Sequence, residues 1–249
     1  MKELVPGLNA LFGLEYNRYP EEHREIFAIE NSERSFEEET KVSGFGPAPV
    51  KPEGEATQYD EAQEVYTARY THETISIGFS ITEEAFEDNL YDSLSKRYTK
   101  ALARSMAHTK QVKGASILNN AFNPAFPGGD GVSLCHPHHP LVLGGTFNAN
   151  TPLTGADLNE TSIEAAATTI ALWFDDRGLL IAAKPRKLII HASQIFTATR
   201  LLRSQYRPGT ADNDVNAIYT NGTIPQGWAV NHWLVDPKAW FLVTDVPNG

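Results

Sequence analysis

Cys135, His136, His138 and His139 crowd into LCHPHHP, the densest grouping of metal-ligating and nucleophilic side chains in the chain. Structural zinc sites bring three or four such ligands together tetrahedrally through paired spacings such as C-x2-C and H-x3-H, and histidines this close in sequence do not follow that pattern. A thiol nucleophile needs an accessible cysteine beside a base. A metal- or thiol-dependent hydrolase built on Cys135 and His136 is therefore the enzymatic alternative, set against a proline-stiffened surface turn with locally bonded histidines. GGDG at 128–131 and GG at 144–145 match neither the Walker pattern nor G-x-G-x-x-G and read as turns. Asp175 with Asp176, or the run Glu37, Glu38 and Glu39, offers paired carboxylates for acid-base work or divalent cations, yet carboxylates adjacent in sequence usually face different ways. The residues thus predict no active site, no cofactor and no metal.

What positions these groups is more informative. Charge is unevenly spread over the 249 residues, whose formal total is −10. Positions 21–65 hold 13 acids and four bases, whereas positions 96–113 hold six bases and no acid. The two stretches are either electrostatic complements or two solvated faces. A surface evolved to grip nucleic-acid phosphates is disfavoured by the overall balance. The single cysteine excludes an internal disulfide, the first twenty residues lack the apolar core of a secretory signal, and no run approaches the roughly 20 apolar residues of a membrane span, so a soluble protein made in a reducing cytoplasm is expected.

Residues 32–72 read as a two-stranded arm rather than core. SFEEETKVS and EVYTARYTHETISIGFS are strand-like, the second alternating through Ile75, Ile77 and Phe79, and between them lie Pro47, Pro49, Pro52 and three glycines. A long isolated hairpin is marginal in water and should rest on its own domain or on another chain, the competing reading being a disordered acidic linker. A helix is expected over 81–120, begun by Ser80 and Glu83 as a capping box and carrying Phe86, Leu90, Leu94, Tyr98, Ala101, Leu102, Ser105 and Met106 as its apolar stripe. At 1.5 Å per residue it would be about 55–60 Å long, more than a small domain needs. Beyond a Gly/Pro-rich connection come a helix over 158–174 capped by Thr154 or Asn159 and closed by DDRG, a buried strand over 187–191 and a helix over 193–204. A polar loop over 204–227 and strands over 228–234 and 239–244 follow. Trp173, Trp228, Trp233 and Trp240 read as core. Without a regular βαβ repeat, the fold class is α+β.

The order of parts, together with HPLVLGGTFNAN at 139–150, DDRGLLIAAKPRKLII at 175–190 and NHWLVDPKAWFLVTD at 231–245, resembles the major capsid proteins of tailed bacteriophages, specifically the Mu-type major head subunits. Encapsulins and the herpesvirus capsid floor share that fold. The resemblance implies an N-terminal arm at 1–31, an extended loop at 32–72, a peripheral domain at 73–127 and 235–249 holding the spine helix, and a mixed α/β apical domain at 128–234. It implies hexamers and pentamers closing into an icosahedral head around double-stranded DNA, made in the host cytoplasm and ending in the virion. Scaffolding, portal and decoration proteins are implied partners, DNA is contacted weakly and without specificity, and there is no membrane partner. An encapsulin-type shell is the alternative within the fold. The expected intersubunit contact sets Glu37, Glu38, Glu39, Lys41, Phe45, Glu61 and Glu64 of one arm against Lys96, Arg97, Lys100 and Arg104 of the next subunit's spine. The family's covalent crosslinking finds no secure lysine, asparagine and glutamate positions here.

Overall fold

The computed structural model describes residues 4–84, 91–142, 147–207 and 214–246. They fall into two units, residues 1–29 with 72–117, and residues 30–71 with 118–249.

In the first unit, helix α1 (Leu4–Tyr16) and a 3-10 turn (Glu22–Glu25) come first, and helix α2 (Tyr91–Asn119) dominates the rest. The expected spine is thus helical over 29 residues, about 43 Å, with helical backbone also at Glu83 and Glu84. Phe86 and Leu90 lie outside the described residues. The buried side of α2 is not the expected stripe. Ser95, Thr99, Ala103, Ala107, Gln111 and Ala115 are buried, a ridge of four-residue steps, while Tyr98, Ala101 and Ser105 are exposed. Small side chains let neighbouring segments approach the helix closely. At Gly114 an added Cβ would stand 2.9 Å from His23 Cβ.

The N-terminal segment runs alongside α2. Gln111 Oε1 accepts the His23 backbone N–H at 3.2 Å, and Gln111 Nε2 donates to the Pro20 carbonyl at 3.0 Å. Lys100 meets Glu15 at 3.5 Å and Lys110 meets Glu21 at 2.9 Å. The Lys110 hydrogen bond, reinforced by its charge and opposed by burial, holds the Glu21 carboxyl below its usual range. Residues 72–79 run along α2 in the opposite direction, with Glu73 on Lys113 and the Phe79 ring 5.5 Å from that of Tyr98.

The second unit holds the arm and a small mixed core. Strands β1 (Phe36–Val42) and β2 (Glu64–Thr71) pair antiparallel, with an irregularity between Lys41 and Val42. The expected continuation of β2 through Ile75, Ile77 and Phe79 is absent. Upstream of Phe36 the chain turns, Ser32 Oγ accepting the Arg34 N–H and donating to Glu37, so β1 offers no partner beyond Thr71. A two-residue ladder, β3 (His139–Pro140) with β4 (Phe147–Asn148), follows.

The core lies between helix α3 (Glu160–Ala171), strand β5 (Pro185–Ile190), helices α4 (Ile195–Arg203) and α5 (Ala217–Asn221), and strands β6 (Trp228–Val230) and β7 (Trp240–Thr244). β5 is central, parallel to β6 and antiparallel to β7. Leu188 and Ile190 join Leu158, Ile163, Ala198, Leu201, Ile218 and Ile224 in one cluster. Ile189 points to the opposite face and is equally buried; its register partner Phe241 stacks on Phe122 at 5.9 Å. Burial on both faces explains the unbroken Leu-Ile-Ile run.

Polar side chains set the element ends. Asn159, not Thr154, caps α3 by accepting the Ser162 N–H at 2.9 Å. Buried Asn216 caps α5, a short helix within the polar loop expected over 204–227, and its amide donates to the Leu201 and Ser204 carbonyls at 2.8 and 2.9 Å. The strand expected over 228–234 stops at Val230 because Asn231 turns the chain, its side chain accepting the Trp233 N–H at 2.9 Å. All four tryptophans are half-buried rather than fully enclosed; Trp173 and Trp240 donate to carbonyls of the 149–156 stretch.

Candidate functional site

Strand alternation divides the acidic run of the arm between two faces. Glu38 lies with Phe36 and Thr40 on one face, opposite Arg69, which binds it at 2.8 Å and covers the Phe36 ring. Thr40 and Thr67 hydroxyls meet at 3.1 Å on that face. Glu37, Glu39 and Lys41 occupy the other face, with Tyr66 and Ala68 across from them. Glu39, Glu61 and Glu64 are exposed, and Phe45 is 59% exposed.

The second face rests on its own unit at the hairpin base. Lys41 Nζ reaches the buried Asp176 carboxylate at 3.1 Å. Burial pulls the Lys41 pKa down, but hydrogen bonding and charge from Asp176, helped by Tyr66, outweigh it and leave the ammonium stabilised. On the returning leg, Asp60 receives Arg177 Nη2 at 2.8 Å on both oxygens and the Gly46 N–H at 2.8 Å. The Gly46 N–H, joined by the Glu61 N–H and Arg177, holds the Asp60 carboxyl below its usual range against the opposing effect of desolvation. Between Lys41 and Asp60, buried Ser43 closes the hairpin on Gln63 with reciprocal bonds of 2.8 and 3.0 Å. The receiving turn is itself fixed. Asp175 Oδ1 accepts the Arg177 and Leu179 N–H groups, and Gly178 takes the left-handed backbone (φ 81°) that closes it. Gly129 completes the seat, since a Cβ there would stand 2.6 Å from Tyr66 Cε2 and nearer still to Cδ2.

The sequence does not single out Asp60, Arg177, Gly129 or Tyr66 as site residues, and it singles out Asp176 only as a carboxylate paired with Asp175, not as a partner of the arm. Asp176 and Arg177 looked like a helix-closing turn, Asp60 was one acid among many, and Gly129 was one turn glycine in GGDG.

The basic candidates all lie on α2, in the other unit. Lys96, Arg97, Lys100 and Arg104 are exposed. Lys100 pairs within its own unit with Glu15, and Lys96 also has a partner of its own, so the basic stretch is partly neutralised in cis. Arg97 and Arg104 extend the exposed side.

LCHPHHP forms a local turn. His136 Nδ1 accepts the His138 N–H at 3.1 Å, and His139 Nδ1 meets Asp130 at 2.6 Å. Burial pushes the Cys135 thiol up to about 11, the reverse of an activated nucleophile. Cys135 is accordingly expected to react slowly with a disulfide reagent at pH 8 and rapidly only in denaturant; fast labelling of the native chain would contradict this assignment. Among the described residues, no three His, Cys, Asp or Glu side chains are placed to hold a metal ion, and no helix is long and apolar enough to cross a membrane.

A model of the phage capsid protein family matches residues 64–248. No curated protein matches the chain. Among solved structures, the procapsid of bacteriophage JBD30 matches with a TM-score of 0.57 and 14% identity, over 94% of this chain and 100% of that one. The JBD30 capsid decorated with minor capsid protein trimers matches with a TM-score of 0.57 and 11% identity, over 87% of this chain and 95% of that one. At these identities the likeness is one of fold.

Proposed function

The chain belongs to the phage capsid protein family, and we propose that it is the major head subunit, of the Mu-type branch, which assembles into hexamers and pentamers of an icosahedral shell enclosing double-stranded DNA. Capsid membership and fold imply a structural, non-enzymatic role. Subunits are made in the host cytoplasm and end in the virion, with scaffolding, portal and decoration proteins as partners. In this reading residues 1–31 are the N-terminal arm, 32–72 the extended loop, 73–127 and 235–249 the peripheral domain, and 128–234 the apical domain.

The observation that carries the reading is the arm tip. Val50 is 94% and Tyr59 91% exposed beyond a base held by two ion pairs, so large apolar side chains are presented outward on a positioned support. A second copy of the chain is the partner that covers them. The acidic side chains Glu37, Glu38, Glu39, Glu61 and Glu64, with Phe45, form the arm's contact surface, and Lys96, Arg97, Lys100 and Arg104 of the neighbour's spine receive it; Lys41, expected in that surface, is instead taken by Asp176 of its own subunit. Each exposed pair contributes only about 0.2–1 kcal/mol and is screened by salt, so the charges steer subunits rather than hold them. Negative-stain electron microscopy with light scattering, at low and high salt and with the cognate scaffold, should give closed shells or capsomers that form more slowly as salt rises. A monomer or dimer under all conditions would reject the shell.

A further inference from the structure

The turn at residues 175–177 carries two adjacent charges of opposite sign, and each takes hold of a different leg of the arm. Asp176 holds Lys41 on the outgoing leg at 3.1 Å, and Arg177 holds Asp60 on the returning leg at 2.8 Å. The order of signs is reversed between the two pairs, so a hairpin slipped or tilted to exchange the contacts would face like charge with like. The two contacts also differ in environment. Asp176 is 8% exposed, whereas Asp60 is a surface carboxylate bound by both oxygens to one guanidinium nitrogen and to the Gly46 N–H. Residues 47–59 beyond them are all exposed and form no helix or strand, so their direction is set at this base.

We infer that Asp176 and Arg177 are positioning residues for assembly, a two-point clamp that fixes the direction in which the arm tip is presented to the neighbouring subunit. This rests on the shell-forming reading, because a tip with nothing to dock on would need no fixed direction. The clamp acts without touching the partner. Losing either pair releases one leg and allows the tip to sweep, which lowers the fraction of subunits ready to bind and so the apparent rate of assembly.

The test uses the full chain with Cys135→Ser and spin labels on Val50→Cys and Leu153→Cys, both exposed positions of the same unit. Double electron–electron resonance on unassembled subunits reads the tip direction, and light scattering reads assembly separately. Arg177→Gln and Lys41→Gln are each expected to broaden the distance distribution at least twofold and to slow assembly at least fivefold. Arg177→Lys should restore most of both. Asp60→Asn keeps an oxygen for the Gly46 N–H, so Asp60→Asn combined with Arg177→Gln should be no worse than either alone. An unchanged distribution in Arg177→Gln and Lys41→Gln would overturn the clamp, as would a broadened tip with normal assembly. A wild-type chain that never forms shells would overturn the shell reading instead, while the distance distributions would still decide whether the clamp exists.

Discussion

Replacing Arg97 and Arg104 together with glutamate is expected to reduce shell formation at least tenfold while leaving the subunit's own unfolding transition nearly unchanged. Both side chains are exposed on α2, and the buried ridge of Ser95, Thr99, Ala103 and Ala107 is untouched. Each reversal removes an attraction of about 0.2–1 kcal/mol and replaces it with a repulsion of similar size. Two reversals per contact therefore cost about 1–4 kcal/mol, and 1.4 kcal/mol is a factor of ten. The penalty recurs at every arm-to-spine contact of a shell, so a modest pairwise effect becomes a large one in assembly. Lys100→Glu separates trans from cis effects, because it sets two acids together at Glu15 and should loosen the N-terminal segment within the subunit. The stringent arm is compensation. Reversing Glu39, Glu61 and Glu64 to lysine in the Arg97→Glu, Arg104→Glu background restores opposite signs between neighbours and should recover shells. Normal shells from the arginine reversal alone would sink the charge pairing.

That choice of residues differs from what the sequence offered, and the difference is physical. The run of six bases was visible, but Lys100, Lys110 and Lys113 find Glu15, Glu21 and Glu73 in segments distant along the chain, and no local pattern announces such pairs. The long helix was legible from its uninterrupted composition. Its buried side was not, because Ala, Ser, Thr and Gln carry little hydrophobic signal and are buried here for their small size or, at Gln111, for two backbone bonds. β5 was the opposite case. Leu188, Ile189 and Ile190 are buried on both faces of a central strand, and an unbroken apolar run is what that environment selects. Likewise Asn159 was one of two candidate caps, beside Thr154, because capping is local, whereas Asn216 was passed over inside a polar loop, although it fastens that loop to the end of α4. The arm was recognisable by its alternation and Pro/Gly tip. Its clamp was not, since Asp176 and Arg177 each become meaningful only beside a leg of chain more than a hundred residues earlier.

Gly129→Ala, a single methyl group added to the seat of the arm, should have a large effect. The added Cβ would enter the Tyr66 ring edge at 2.6 Å from Cε2 and lie 3.3 Å from Ala68 Cβ, and a ring carbon, unlike the end of a flexible chain, cannot step aside alone. Tyr66 is held by its strand partner Lys41, whose ammonium lies 5.5 Å from the ring centre, so relief requires the base of β2 to lift. Overpacking of this kind costs about 1–3 kcal/mol. The direction of relief matters more than its size, because lifting β2 also pulls Lys41 away from Asp176 and frees the outgoing leg. Urea unfolding of the unassembled subunit should register the loss of stability, and limited digestion after glutamate should cut the tip faster, at Glu53, Glu55 or Glu61. Tyr66→Ala supplies the control. In the double variant the methyl group enters space the ring has vacated, so the two substitutions should be less than additive, with a coupling of about 0.5–3 kcal/mol. Strict additivity would mean that Gly129 is needed only for its own turn, and the seat of the arm would have to be sought elsewhere.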